Sequence, residues 1–130
     1  MNIAFDLDGV ICHRRSEDFG IEKYLTCYPD LDFVNTVNRL FEEGNHITIY
    51  TARGMNTFNN DVRKVYDKLY NLTKNQLDSW GVKHHELIMG KVSYDVLIDD
   101  KAINSENVKS EKDVVDFLSN RRQGCRGYQQ

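Results

Sequence analysis

With 130 residues, 40% of them hydrophobic and 28% charged, and a single proline, the chain is long enough for one hydrophobic core and too apolar for a disordered or fibrous class. Seventeen basic against twenty acidic residues give a net charge of −3, so no global basic field exists for nucleic acid or an anionic membrane, and phosphate recognition has to be local. Three cysteines without metal-ligand spacing, no apolar run of bilayer length and a strand-like first segment predict a soluble cytoplasmic protein without a secretion signal.

Ile3 and Phe5 alternate with polar neighbours in a first strand ending at Asp6, and Asp8-Gly9 supplies turn chemistry. Residues 10–30 have no clear period. Pro29-Asp30 then precedes LDFVNTVNRLFEEG, where Val34, Val37 and Phe41 share one face of a predicted helix that stops near Gly44. HITIY, residues 46–50, reads as a second strand running into Thr51-Ala52-Arg53-Gly54. Phe58, Val62, Val65, Tyr66 and Leu69 recur at helical spacing, and Thr73-Lys74-Asn75-Gln76 has the capping-box pattern, so two helices are predicted over 57–80. Trp80, with Tyr66, Leu69, Leu72 and Leu77, is expected in the core.

Glu86–Met89 and Tyr94–Ile98 are apolar runs predicted as a third and a fourth strand, ending in Gly90-Lys91 and Asp99-Asp100. Ser110-Glu111-Lys112-Asp113 is a helix start followed by Val114, Val115 and Leu118. Residues 121–130 lack periodicity and are expected to form a mobile tail beyond a single domain over 1–120. His46, His84 and His85 lack a further ligand at metal spacing and read as packed or surface histidines.

Strands alternating with helices predict an α/β fold, a parallel sheet covered on both faces in a three-layer, Rossmann-like arrangement, with ligands outside the carboxyl ends of the strands. Asp6 with Asp8, Thr51, Lys91, and Asp99 with Asp100 all fall at such ends. Two carboxylate pairs converging on one crevice repel unless a cation lies between them. Magnesium, which prefers oxygen ligands, suits Asp6, Asp99, Asp100 and Asp8, the last through its backbone carbonyl. Lys91 and the Thr51 hydroxyl are donors suited to a phosphate ester, Asp6 to nucleophilic attack, and Asp8 to proton transfer. Ala52 and Arg53, next to Thr51, and His13, Arg14 and Arg15, after the first turn, are candidate contacts to the phosphate or the rest of the substrate.

FDLDGV, YTARG, the isolated Gly90-Lys91 and LIDD, in this order, resemble the four motifs of the haloacid dehalogenase (HAD) superfamily of phosphatases over about residues 1 to 105. The resemblance implies a magnesium-dependent phosphomonoesterase working through an aspartyl-phosphate on Asp6. Asp8 is then the general acid/base, Thr51 and Lys91 bind phosphate, and Asp99 ligates metal with Asp100 in support. The intervals of about 20 and 40 residues between motifs hold no cap domain, so the site is expected to be open unless a loop or a second copy covers it.

GVKHHELIMGKVSYDVLIDDKAIN is most similar to short capless phosphatases of bacterial capsule and surface-polysaccharide synthesis. That implies a polyol, amino-alcohol or sugar phosphate as substrate. Val92 stands where such proteins often carry proline. Phosphotransfer to a second substrate and a phosphoacceptor signalling module use related chemistry. The second is disfavoured because HITIYTARG carries no aspartate to phosphorylate.

Overall fold

The computed structural model describes residues 1–15 and 19–125, with backbone only for 121–125. It comprises two compact units, Met1–Ser93 and Tyr94–Gln130. The chain is α/β.

The first unit is built on a parallel sheet of β1 (Asn2–Phe5), β4 (His46–Thr51) and β5 (Glu86–Met89), with β4 in the middle. Between β1 and β4 come β2 (Cys12–His13), α1 (Glu22–Leu25), β3 (Tyr28–Pro29) and α2 (Leu31–Glu42). β2 and β3 pair antiparallel, Cys12 opposite Pro29. The register sets Phe5 beside Ile49 and Thr51 beside Met89, so the three strands end together.

Side chains alternate across a strand, and one face of this sheet, with Phe5, Ile47, Ile49, Leu87 and Met89, is buried. Val34, Val37 and Leu40 of α2 and Val65, Leu69 and Leu77 of α3 (Val62–Ser79) enter the same core cluster. Both helices therefore cover one face, as right-handed crossovers between strands in sequential order require. The other face carries Ala4, Tyr50 and Ile88, which remain exposed.

Helix boundaries follow their caps. Asp30 begins α2, its side chain accepting the Phe33 N–H at 3.0 Å, and Asp61 does the same for α3 with Lys64 at 3.2 Å. Where the sequence pattern predicts two helices over 57–80, the structure has one. Asn59 and Asn60 take left-handed φ of 54° and 64°, which keeps the helix from starting earlier. Thr73, the supposed second cap, lies fully buried inside α3.

In the second unit, Tyr94–Ile98 forms no strand, and Val96 and Ile98 are 74% and 93% exposed. An apolar run becomes a strand only with a ladder partner, and none of the described residues supplies one. A 3₁₀ turn, Ser105–Asn107, precedes α4, Glu111–Cys125. Asp113 accepts the Ser110 N–H at 3.1 Å, the return half of the capping box read there. α4 takes in the first five residues of the expected tail, and the remaining five, 126–130, lie outside the described residues. Among the described residues no helix is long and apolar enough to cross a membrane.

Candidate active site

Asp6 directly follows β1, Thr51 ends β4, and Lys91 lies two residues after β5, so the parallel register delivers all three to one edge of the sheet. The Lys91 backbone N–H donates to the Thr51 carbonyl at 3.1 Å, tying the two strand ends together. Lys91 Nζ lies 3.6 Å from Asp6 Oδ2, and the Asp6 side chain is 39% exposed. Its other oxygen accepts the Leu7 N–H at 2.8 Å. The buried Thr51 hydroxyl accepts the Arg53 N–H at 3.0 Å, which leaves its own proton to donate. Ala52 packs partly buried against the core.

Past Asp6 the chain turns sharply. Val10, Ile11 and Cys12 all direct their N–H groups at the Leu7 carbonyl, while Gly9, at φ 87°, donates to the Cys12 carbonyl at 2.7 Å. Glycine adopts this angle without the Cβ penalty of other residues. The Asp8 carbonyl takes none of the backbone hydrogen bonds of this turn.

The Asp8 carboxylate meets Arg53. Nε donates to Oδ2 at 3.1 Å and Nη2 to Oδ1 at 3.0 Å, a two-pronged pair in which the Arg53 side chain is fully buried and that of Asp8 is 17% exposed. Nη1 donates to Thr73 Oγ1 at 3.1 Å and to Gln76 Oε1 at 2.6 Å, and the guanidinium lies 4.8 Å from the centre of the Tyr24 ring. Burial alone lowers an arginine pKa. Here the hydrogen bonds and charge of Asp8, with the neighbouring cysteines, outweigh it and hold Arg53 above its ordinary value. Arg53 thus places its guanidinium against Asp8, Thr73 and Gln76 inside the protein.

Thr73, Gln76 and Tyr24 were invisible as members of this site. The Thr73–Gln76 spacing that resembles a cap is one turn of α3 facing the guanidinium. The cysteines were equally hidden. Cys12 Sγ lies 3.4 Å and Cys27 Sγ 3.6 Å from Asp8 Oδ1, and Arg53 Nη2 approaches both sulfurs at 3.8 and 3.7 Å. The hydrogen bond between the two thiols keeps the Cys12 proton on, well above the usual thiol range, and pulls Cys27 down. Asp8, Cys12 and Cys27 have the donor types of a metal centre, but a guanidinium already supplies the cation among them.

A cavity of about 520 Å³ opens beside this pair, lined by Asp8, His13, Arg14, Arg15, Phe19 and Lys23 among others. His13 Nε2 is 3.0 Å from Asp30 Oδ2, and Arg15 lies over Tyr28 at 5.7 Å. The loop thus brings the candidate contact residues His13, Arg14 and Arg15 to Asp8. Asp99 and Asp100 belong to the second unit and are exposed. There Asp99 Oδ1 accepts the N–H groups of Lys101 at 3.2 Å and Asp100 at 2.6 Å, which hold its pKa below the usual carboxylate range.

For magnesium the donor set is mixed. The half-exposed Asp6 carboxylate and the Asp8 carbonyl are hard oxygen donors and fit, whereas both Asp8 carboxylate oxygens are engaged by Arg53.

No protein-family model matches the chain, and none of the curated proteins matches it. Among solved structures it is similar to a structural-genomics target from Vibrio cholerae, at 26% sequence identity and a TM-score of 0.78, over 92% of this chain and 99% of that one.

Proposed function

We propose that the chain is a phosphomonoester hydrolase of the HAD type, with a Rossmann-like core and no cap, which attacks its substrate through Asp6. The observation that carries this reading is the meeting of Asp6, Thr51 and Lys91 at the carboxyl ends of three adjacent parallel strands, with Asp6 and Lys91 at 3.6 Å. A carboxylate beside an amine and a hydroxyl donor is suited to attack on phosphorus, because the two donors offset the charge of the phosphoryl oxygens while Asp6 displaces the leaving oxygen.

Magnesium, held by Asp6 and the Asp8 carbonyl, would supply further charge neutralisation to the transferring phosphoryl group. Hydrolysis then proceeds in two halves. Asp6 Oδ attacks phosphorus, the bond to the leaving oxygen breaks, and Asp8 provides the proton that lets it depart as an alcohol. Water next attacks the aspartyl-phosphate, its proton passes to Asp8, and inorganic phosphate leaves with Asp6 restored. Arg53 orients Asp8 throughout.

The cations of the 13–23 loop bear on the remainder of the substrate. The proposed class is a small polyol, amino-alcohol or sugar phosphate of surface-polysaccharide synthesis, handled in the cytoplasm, with a second copy of the chain as a cover for the open crevice. The test is a magnesium-dependent phosphate-release screen over small phosphomonoesters, with Asp6→Asn and Asp8→Asn alongside. Turnover should vanish in the first and fall roughly a hundredfold or more in the second. Wild-type turnover by Asp6→Asn defeats the reading, and phosphoryl transfer to an added alcohol in preference to water makes the chain a phosphotransferase.

A further inference from the structure

We infer that Cys12 and Cys27 are a dithiol pair that closes to a reversible disulfide, a modification site at the base of the loop that carries Arg14, Arg15 and Lys23. The chain reversal creates the pair. Cys12 in β2 lies opposite Pro29 in β3, and Cys27 sits two residues before that proline, between the end of α1 and β3. The two sulfurs and an Asp8 carboxylate oxygen all lie within 4.8 Å of one another. Both cysteines are reduced and buried. Closure brings the sulfurs to about 2.05 Å.

Neither thiol is consumed by packing alone. Cys12 Sγ lies 3.4 Å and Cys27 Sγ 3.6 Å from Asp8 Oδ1, and both sulfurs border the Arg53 guanidinium. Cys27 retains 8% of its surface and Cys12 none, so an oxidant reaches Cys27 first. With a hydroperoxide as the oxidant, the Cys27 sulfur attacks the terminal peroxide oxygen. An S–O bond forms, the O–O bond breaks, and the departing oxygen leaves protonated as alcohol or water. The Cys12 sulfur then displaces hydroxide from the Cys27 sulfenic acid, and the hydroxide departs as water with the Cys12 thiol proton. Two thiols lose two electrons and two protons, and one peroxide is reduced.

The bond removes both thiol protons from beside Asp8 and ties residue 12 to residue 27, next to the cavity that Asp8, His13 and Lys23 line. It does not depend on the hydrolase reading.

The experiment treats the full-length reduced protein with stoichiometric hydrogen peroxide, alkylates it in denaturant, and maps peptides by mass spectrometry. The expected product is a Cys12–Cys27 cross-linked peptide, lighter by two hydrogens than the reduced pair and restored to two alkylatable thiols by dithiothreitol. A Cys125→Ser variant should give the same cross-link at the same rate. Recovery of Cys12 and Cys27 both alkylated, oxidation of Cys27 onward to sulfinic acid without a cross-link, or bonds running mainly to Cys125 overturns the inference. Because the wild-type map alone decides, no cysteine variant needs to fold.

Discussion

Replacing Arg53 by methionine keeps much of its length and removes its charge. The guanidinium makes two bonds to Asp8 and one each to Thr73 and Gln76, with no side-chain surface in water. Removing one member of a buried ion pair leaves the other charge uncompensated and costs about 3–5 kcal/mol. The orphaned Thr73 and Gln76 acceptors place the expected loss in the upper part of that range. For a chain of this size the corresponding fall in melting temperature is roughly 10–20 °C. Urea denaturation followed by circular dichroism measures it, together with Asp8→Asn and the double variant. Because Asp8→Asn removes the stranded charge, the double variant should lose less than the two single losses combined, by about 0.5–3 kcal/mol. An Arg53→Met protein within about 1 kcal/mol of wild type, or strict additivity, refutes the view that this pair organises the site.

Gly54 has φ 82°, and a Cβ placed there would clash with Leu69 Cδ1, so Gly54→Ala should cost about 2–5 kcal/mol in thermal unfolding, strain and overpacking together. His84 is half-buried, and burial first, then Lys74 with its Nζ 2.9 Å from Nε2, holds its pKa below the ordinary 6.5. The folded state therefore binds fewer protons than the unfolded state below that pH. Stability should fall as pH drops through 6.5 toward the lower folded value, and His84→Gln should flatten that slope in urea titrations. Asp30 is held below its ordinary 3.8 by His13 and then by the Phe33 N–H. Its contribution is complete above pH 3.8 and lost as pH falls through the folded value, and Asp30→Ala should cost about 1 kcal/mol at neutral pH by calorimetry.

Much of this architecture was legible because it is local. The alternation in β1 and β4 and the periodicity of α2 after Pro29-Asp30 each depend on neighbours a few residues apart, and the structure has them where the sequence puts them. What was not legible depends on partners distant in sequence. Tyr94–Ile98 has strand composition but no described ladder partner. Thr73 and Gln76 match a capping box, yet their polar atoms serve a guanidinium about twenty residues upstream. Cys12 and Cys27 have no motif spacing and meet only because β2 and β3 fold back on each other. The place of Arg53 after Thr51 marks it as a candidate ligand contact, whereas its pairing with Asp8, 45 residues away in sequence, has no local signal. Nothing in the sequence tells an arginine facing outward from one that pins a carboxylate inside.

The most direct test of the central claim is chemical trapping of the intermediate. The protein is mixed with p-nitrophenyl phosphate and magnesium, or with the best ester from the phosphate-release screen, quenched in acid, and reduced with borohydride, which converts an aspartyl-phosphate to homoserine. Peptide mass mapping should find homoserine at position 6 only, dependent on both ester and magnesium and absent from Asp6→Asn. Turnover without homoserine at position 6, or with the phosphoryl group on another side chain, contradicts the account.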